Sequence, residues 1–312
     1  MRETMAGQPA ALRAVLEDRD PVRAVGERIA GRRVWLCGTG TSWHAANHGA
    51  WFLHAAGVDA RPIAAADAAM GGPAPAPGDA LVVLSHTGTK RYARDVLARA
   101  RREGAECVVI GARAREGVDL ATVERERSAA YTASHLAALL RLAQLAEELG
   151  ARLGDLAAVP GAVEAALAGP GPGVRPPRRL LELTGAGANQ WTAAEGALKV
   201  REAGRVAAQG LAAEQLLHGP GVALGPDDAL VCLDGGGPGA ERLEHVALLG
   251  TAGGAAVHRV RATELGEPLS VFALTVAIQR IALECAETLG TDPDAFGYDL
   301  PGRREAWEQV EL

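Results

Sequence analysis

The sequence predicts an α/β fold: two tandem, doubly wound (Rossmann-like, flavodoxin-like) parallel-sheet domains followed by a C-terminal tail. Three observations predict it. Short apolar runs alternate with longer amphipathic stretches, the pattern of parallel strands covered by helices on both faces. The chain repeats itself at about half its length. Its 312 residues suffice for two domains of about 150 residues each.

In the first half, the apolar runs 34–38, 61–65, 80–85 and 106–112 read as strands, and helical periodicity covers 42–56, 90–103 and 131–149. In the second half the strands are 179–185, 229–234 and 255–260, and the helices 190–203, 239–250 and 268–289. The repeat supports this reading. Residues 36–50 lie over 183–197 at an offset of 147, with identities Leu36/Leu183, Gly38/Gly185, Gly40/Gly187, Ala46/Ala193, Gly49/Gly196 and Ala50/Ala197. Residues 81–88 lie over 230–237 at an offset of 149, matching at Leu81, Val82, Leu84 and Gly88. The Pro/Gly-rich stretch 169–178 cannot continue a helix or a central strand and reads as a linker. The expected division is a first domain over 1–168, a linker over 169–178, a second domain over 179–290 and a tail over 291–312.

Composition narrows the function. Lys plus Arg is 32 and Asp plus Glu 38, a formal charge of −6. That balance argues against a nucleic-acid-coating surface and against a basic membrane arm. No run reaches the ~18 uncharged apolar residues of a membrane span. The N-terminal residues contain no apolar signal core, so a cytoplasmic location is expected. The scattered Cys37, Cys107, Cys232 and Cys285 read as buried free thiols. Only Lys90 and Lys199 among the basic residues are lysine. A lysine kept in an arginine-rich chain suits a task that a planar fork cannot perform.

Both lysines fall in motifs. The first strand–turn–helix carries Gly38-Thr39-Gly40-Thr41-Ser42-Trp43. Trp43 stands where a dinucleotide fingerprint needs a third glycine, so the turn suits another ligand. Ser85-His86-Thr87-Gly88-Thr89-Lys90 follows an apolar strand and precedes a helix. Three hydroxyls, a flexible glycine and a helix start make a cradle for a single phosphate monoester. A plain capped turn is the structural alternative. The equivalent turn in the second half reads Asp234-Gly235-Gly236-Gly237, where a carboxylate would repel phosphate. Further on, Glu195, Lys199 and Glu202 share one helical face. Such a face is commonly a solvated salt bridge, but this one follows a glycine turn where ligands bind. His218 sits at a Gly-Pro break shortly after it. His44 and His48 also share a face, but without a third ligand a metal site there is poorly supported.

The segments GTGTSWHAA (38–46), SHTGTK (85–90), EGALKVRE (195–202) and AEQLLHGP (213–220) resemble the double sugar-isomerase (SIS) domain family. They are most similar to the isomerase module of glucosamine-6-phosphate synthase and to stand-alone phosphosugar isomerases and deaminases. The resemblance implies a sugar 6-phosphate, of the fructose or glucosamine 6-phosphate type, held by Gly40, Thr41, Ser42, Ser85, His86, Thr87 and Thr89. It implies Glu202 as the base moving a proton between C1 and C2, and His218 as an aid to ring opening. Glu195 and Lys199 would position the substrate or shape the site. It also implies a homodimer, because the histidine serves the neighbouring subunit's site, and a reaction with no metal or organic cofactor. The departures are Lys90 at the loop's usual final threonine, where it would contact the phosphate as a point charge or mark a different anion, Arg2 where a glutaminase nucleophile would stand, and no lysine after Lys199. Nitrogen would therefore come from a separate ammonia-supplying partner, if at all. A sugar-phosphate-binding regulator that performs no chemistry is the alternative class.

Overall fold

The computed structural model describes residues 1–310. The chain forms two compact units. Residues 7–126, 133–157 and 305–310 belong to an amino unit, and residues 1–6, 127–132 and 158–304 to a carboxyl unit.

In chain order the elements begin with α1 (Arg2–Ala6), α2 (Gln8–Glu17) and α3 (Asp20–Ile29). Then come β1 (Val34–Gly38), α4 (Thr41–His54), β2 (Ala60–Ala64), α5 (Ala65–Ala69), β3 (Ala80–Leu84), α6 (Arg91–Arg102), β4 (Glu106–Gly111), β5 (Leu120–Ala121) and α7 (Ala133–Glu148). All strands of the amino unit run parallel in the order β2-β1-β3-β4-β5. This is the flavodoxin-like order, whose ligand crevice lies at the switch point between β1 and β3. Both of those strands are wholly buried, which explains their uninterrupted apolar runs.

The second half continues with α8 (Val159–Ala168), β6 (Leu181–Gly185), α9 (Asn189–Lys199), β7 (Ala208–Ala212), α10 (Ala213–Leu217), β8 (Ala229–Asp234), α11 (Ala240–Ala252), β9 (Ala256–Arg261), α12 (Glu267–Leu289) and α13 (Arg303–Glu308). The carboxyl sheet is parallel in the order β7-β6-β8-β9, so its switch point lies between β6 and β8. The two sheets thus share one winding.

Packing explains the repeat's identities. A Cβ added to Gly49 would come within 2.7 Å of Leu36 Cδ2, and one added to Gly196 within 2.7 Å of Leu183 Cδ2. Each first helix therefore needs a glycine where it crosses a leucine of its own first strand. The same Leu–Gly pair recurs in both copies because the same close approach recurs.

Several expectations change. The short β5 and β7 and the helices α1, α2, α3, α5, α8, α10 and α13 are additional to the sequence reading. The helix expected over 190–203 is α-helical only to Lys199 and continues as a π-helical turn, Val200–Gly204. The boundary expected at 169–178 does not divide the compact units, because 1–6, 127–132 and 158–168 pack with the carboxyl sheet. The reason is local: Arg280 of α12 donates to the carbonyls of Ala166 and Gly169 at 2.8 Å, tying the end of α8 to that unit. α12 is strongly apolar, though each 18-residue window of it contains Arg280, so it is not an uncharged run. An 18-residue window of α12 has a mean hydropathy of 1.6, and 78% of it is buried inside the protein, as befits a core helix. All four thiols are free; Cys107 is half-buried and the others are buried. Burial pushes Cys37 and Cys232 up to about 12 and Cys285 to about 11, so these thiols stay protonated and inert.

One core group is out of keeping. Glu182 of β6 is 2% exposed, and its Oε1 has no hydrogen-bond partner among the described residues. Burial, with Asp228 adding repulsion, pushes its carboxyl from 4.5 to about 8. The folded chain therefore keeps a proton that the unfolded chain gives up, and stability falls as pH rises from about 4.5 to about 8. Glu182→Gln is expected to flatten that slope, by up to about 1.4 kcal/mol per pH unit, in urea denaturation series at pH 5, 6, 7 and 8.

Candidate functional site

In the amino unit the turns after β1 and β3 meet the switch point. Gly40 caps α4 with φ +56°, a conformation that favours glycine. Thr41 and Ser42 follow in the first helical turn, half-buried. Ser85 is buried at the end of β3, His86 and Thr87 are half-buried, and Thr89 and Lys90 are exposed. The Thr87 and Thr89 hydroxyls hydrogen-bond each other at 2.9 Å. Gly88, between them, has φ +73°. Lys90, expected as a point charge toward the anion, is the exposed cap of α6 in extended conformation.

His86 Nε2 accepts the Glu126 N–H at 3.2 Å. Burial is the largest cause lowering its pKa, with the positive charges of Arg125 and Arg115 adding to it against Glu126. The ring is thus held toward neutrality with its proton on Nδ1.

A second cation, absent from the sequence reading, underlies this turn. Arg115, in the loop after β4, donates from Nη1 to the Ser85 carbonyl at 2.5 Å. A Cβ on Gly88 would lie 2.3 Å from Arg115 Nε, so the guanidinium lies against that glycine. Burial lowers its pKa, and among the described residues no carboxylate offsets the loss of solvent. The signal was faint: Arg115 belongs to no motif, and only Ala114 beside it, at φ +60°, marks a special turn.

The carboxyl unit's equivalent crevice has the opposite chemistry. Asp234 Oδ1 accepts the Gly236 N–H at 2.8 Å, and its Oδ2 pairs with Arg261 at 2.9 Å. Here Glu267, the first residue of α12, takes the crevice. A Cβ on Gly187 would lie 1.8 Å from its Oε1, and one on Gly237 2.4 Å from its Oε2. Gly237 is the counterpart of Gly88. One copy therefore sets a guanidinium against this glycine and the other a carboxylate, whose pKa burial raises. Asn189 and Ser270, bonded at 2.9 Å, fill the space beside Gly235.

Glu195, Lys199 and Glu202 come together as the sequence spacing predicts. Glu195 is 0% exposed, Lys199 1% and Glu202 16% by side chain. Lys199 Nζ lies 3.5 Å from Glu195 Oε1 and hydrogen-bonds Glu202 Oε2. The π-helical turn begins after Lys199 and carries Glu202. Such turns concentrate at functional sites. A buried ammonium between two carboxylates is poor evidence for stability, since apolar side chains of similar volume commonly do as well. His218 does not join this group. It caps α10 with its side chain 72% exposed, and its Nε2 lies 2.9 Å from Glu214 Oε1, which in turn meets Arg242. His48 uses Nδ1 on the His44 carbonyl at 2.9 Å. Among the described residues no cluster of three His, Cys, Asp or Glu is arranged to hold a metal ion.

Solved structures decide the fold. A candidate phosphosugar isomerase of Silicibacter pomeroyi superposes with a TM-score of 0.77 at 22% identity, covering 94% of this chain and 99% of that one. The chain has the double SIS-domain fold. Glucosamine-6-phosphate deaminase of Thermotoga maritima gives 0.76 at 18% identity, covering 94% and 96%. Tagatose-6-phosphate ketose/aldose isomerase of Escherichia coli gives 0.76 at 20% identity, covering 94% of each chain. No family model and no curated protein sequence matches. Likeness at these identities fixes the SIS fold and leaves the activity to the residues.

Lys199 holds two carboxylates together away from water. Lys199→Met should destabilise the protein by about 3–5 kcal/mol, the usual effect of removing one partner from a buried ionic group. Glu202→Gln, at the group's exposed end, should destabilise it less. Guanidinium denaturation of the two variants tests the ordering.

Proposed function

We propose that the protein is a phosphosugar isomerase that interconverts the aldose and ketose forms of a hexose 6-phosphate. The observation that carries this reading is the buried Glu195–Lys199–Glu202 group, whose outermost carboxylate, Glu202, alone remains in reach of solvent. Aldose–ketose interconversion passes through a cis-enediol. One carboxylate takes the proton from one carbon and returns it to its neighbour, while the carbonyl and hydroxyl oxygens exchange a second proton. No external oxidant, metal or organic cofactor enters the balance. Lys199 keeps the Glu202 side chain in one orientation, and Glu195 offsets the lysine's charge within the protein.

The hydroxyl-rich turns of the amino unit take the phosphate. Thr41, Ser42, Ser85, His86, Thr87 and Thr89 supply donors, and Gly40 and Gly88 let the backbone approach. A phosphate gripped away from the reacting carbons orients C1 and C2, so binding energy is used for positioning. His218, exposed and held by Glu214, aids ring opening in a second copy of the chain, which makes the working enzyme a homodimer. The named solved structures include both an isomerase and a deaminase. An amino-sugar phosphate would pass through the analogous enolamine to a C2 imine, which water hydrolyses to the ketose and ammonia.

Fructose 6-phosphate and glucosamine 6-phosphate incubated in deuterium oxide provide the test. Proton NMR is expected to show deuterium entering at C1 or C2 of at least one of them. Glu202→Gln should slow exchange by about 10²- to 10⁴-fold while sugar-phosphate binding persists. Undiminished exchange in that variant would overturn Glu202 as the base, and binding without exchange in the parent would make the protein a sensor.

A further inference from the structure

We propose that Arg115 is the cationic member of the phosphate site, binding the oxyanion directly while holding the Ser85–Lys90 turn in shape. The proposal rests on the reading that the ligand carries a phosphate, and it names the residue that meets the charge.

The geometry carries the argument. One guanidinium nitrogen, Nη1, is committed to the Ser85 carbonyl at 2.5 Å. The rest of the fork lies over Gly88, where a Cβ would come within 2.3 Å of Nε, 2.4 Å of Cζ and 2.5 Å of Nη2. Gly111, at the end of β4, also borders it, with an added Cβ 2.8 Å from Nη1. Two glycines are thus required for the guanidinium to lie where it does. That position is against the backbone of the turn that carries the Ser85, Thr87 and Thr89 hydroxyls.

The remaining donors are uncommitted. The Ser85 carbonyl is the hydrogen-bond acceptor that Arg115 has among the described residues, and no carboxylate pairs with it. A half-buried guanidinium that has lost solvent without gaining an anion is an unbalanced charge. A planar fork matches the oxygens of a phosphate group. Lys90, exposed at the cap of α6, does not occupy that position. The carboxyl unit provides the contrast: against the equivalent Gly237 it sets the Glu267 carboxylate, which excludes an oxyanion.

The test is calorimetric titration of the full-length protein with inorganic phosphate and with glucosamine 6-phosphate, at several ionic strengths. Arg115→Met should weaken both by about 10- to 100-fold, at 1.4 kcal/mol per tenfold, and should flatten the dependence of affinity on salt. Arg115→Lys should recover the salt dependence and part of the affinity. Gly88→Ala keeps every charge but denies the guanidinium its place, and should weaken binding as well. Equal affinity in Arg115→Met and the parent would overturn the role of Arg115 and leave the sugar-phosphate reading standing. Weakened affinity with an unchanged salt dependence would reduce Arg115 to a loop support and overturn direct contact. A parent protein that binds neither ligand would overturn both readings together. Should Arg115→Met fail to fold, Arg115→Lys and Gly88→Ala decide the matter by the same criteria.

Discussion

A strand end and a helix start that come too close for any side chain between them are the constraint on which the rest of this structure depends. A Cβ on Gly38 would lie 2.4 Å from the Ser42 carbonyl, and one on Gly185 2.2 Å from that of Asn189. Substituting either glycine would push the first helix off its strand. The turn that follows, with Gly40 and Gly187 both at φ +56°, then opens toward the switch point of each sheet. Because backbone contacts impose this geometry, it survives in both copies while the surrounding side chains diverge.

That divergence is one of charge. The amino crevice has hydroxyls at Ser85, Thr87 and Thr89, with a guanidinium against the Ser85 carbonyl and Gly88. The carboxyl crevice carries Asp234 and Glu267 and fills the rest with Asn189 and Ser270. The two crevices therefore differ in charge while the sheet order stays the same. The carboxyl copy has instead gained an ionic group on α9 and the π-helical turn after it. Folding alone gives little reason to keep an ammonium there, which is why the group reads as chemistry.

Sequence alone revealed what backbone and local spacing control. The parallel sheets followed from uninterrupted apolar runs, and the doubling from Leu36, Gly49 and their counterparts, which pack against each other. The Glu195–Lys199–Glu202 group followed from helical spacing, even though the helix changes pitch within it. Residues that reach a site from a distant loop left no such trace. Arg115 and Glu267 lie in unremarkable stretches, and only the fold brings them against Gly88 and Gly237. The short β7, with its glycine and partial burial, lacks the apolar run that marks a central strand. The ends of the units were equally hidden, because segments remote in sequence complete them.

The path of the chain has a consequence for how such a protein can change over time. Met1 and Met5 lie in the apolar core of the carboxyl unit, with Ala130 from the 127–132 stretch beside them and α8 joined to α12. The first module has thus lent pieces to the interior of the second. Recombination at the proline-rich junction would hand on an incomplete module, so after duplication the two copies are bound to descend as one inheritable piece.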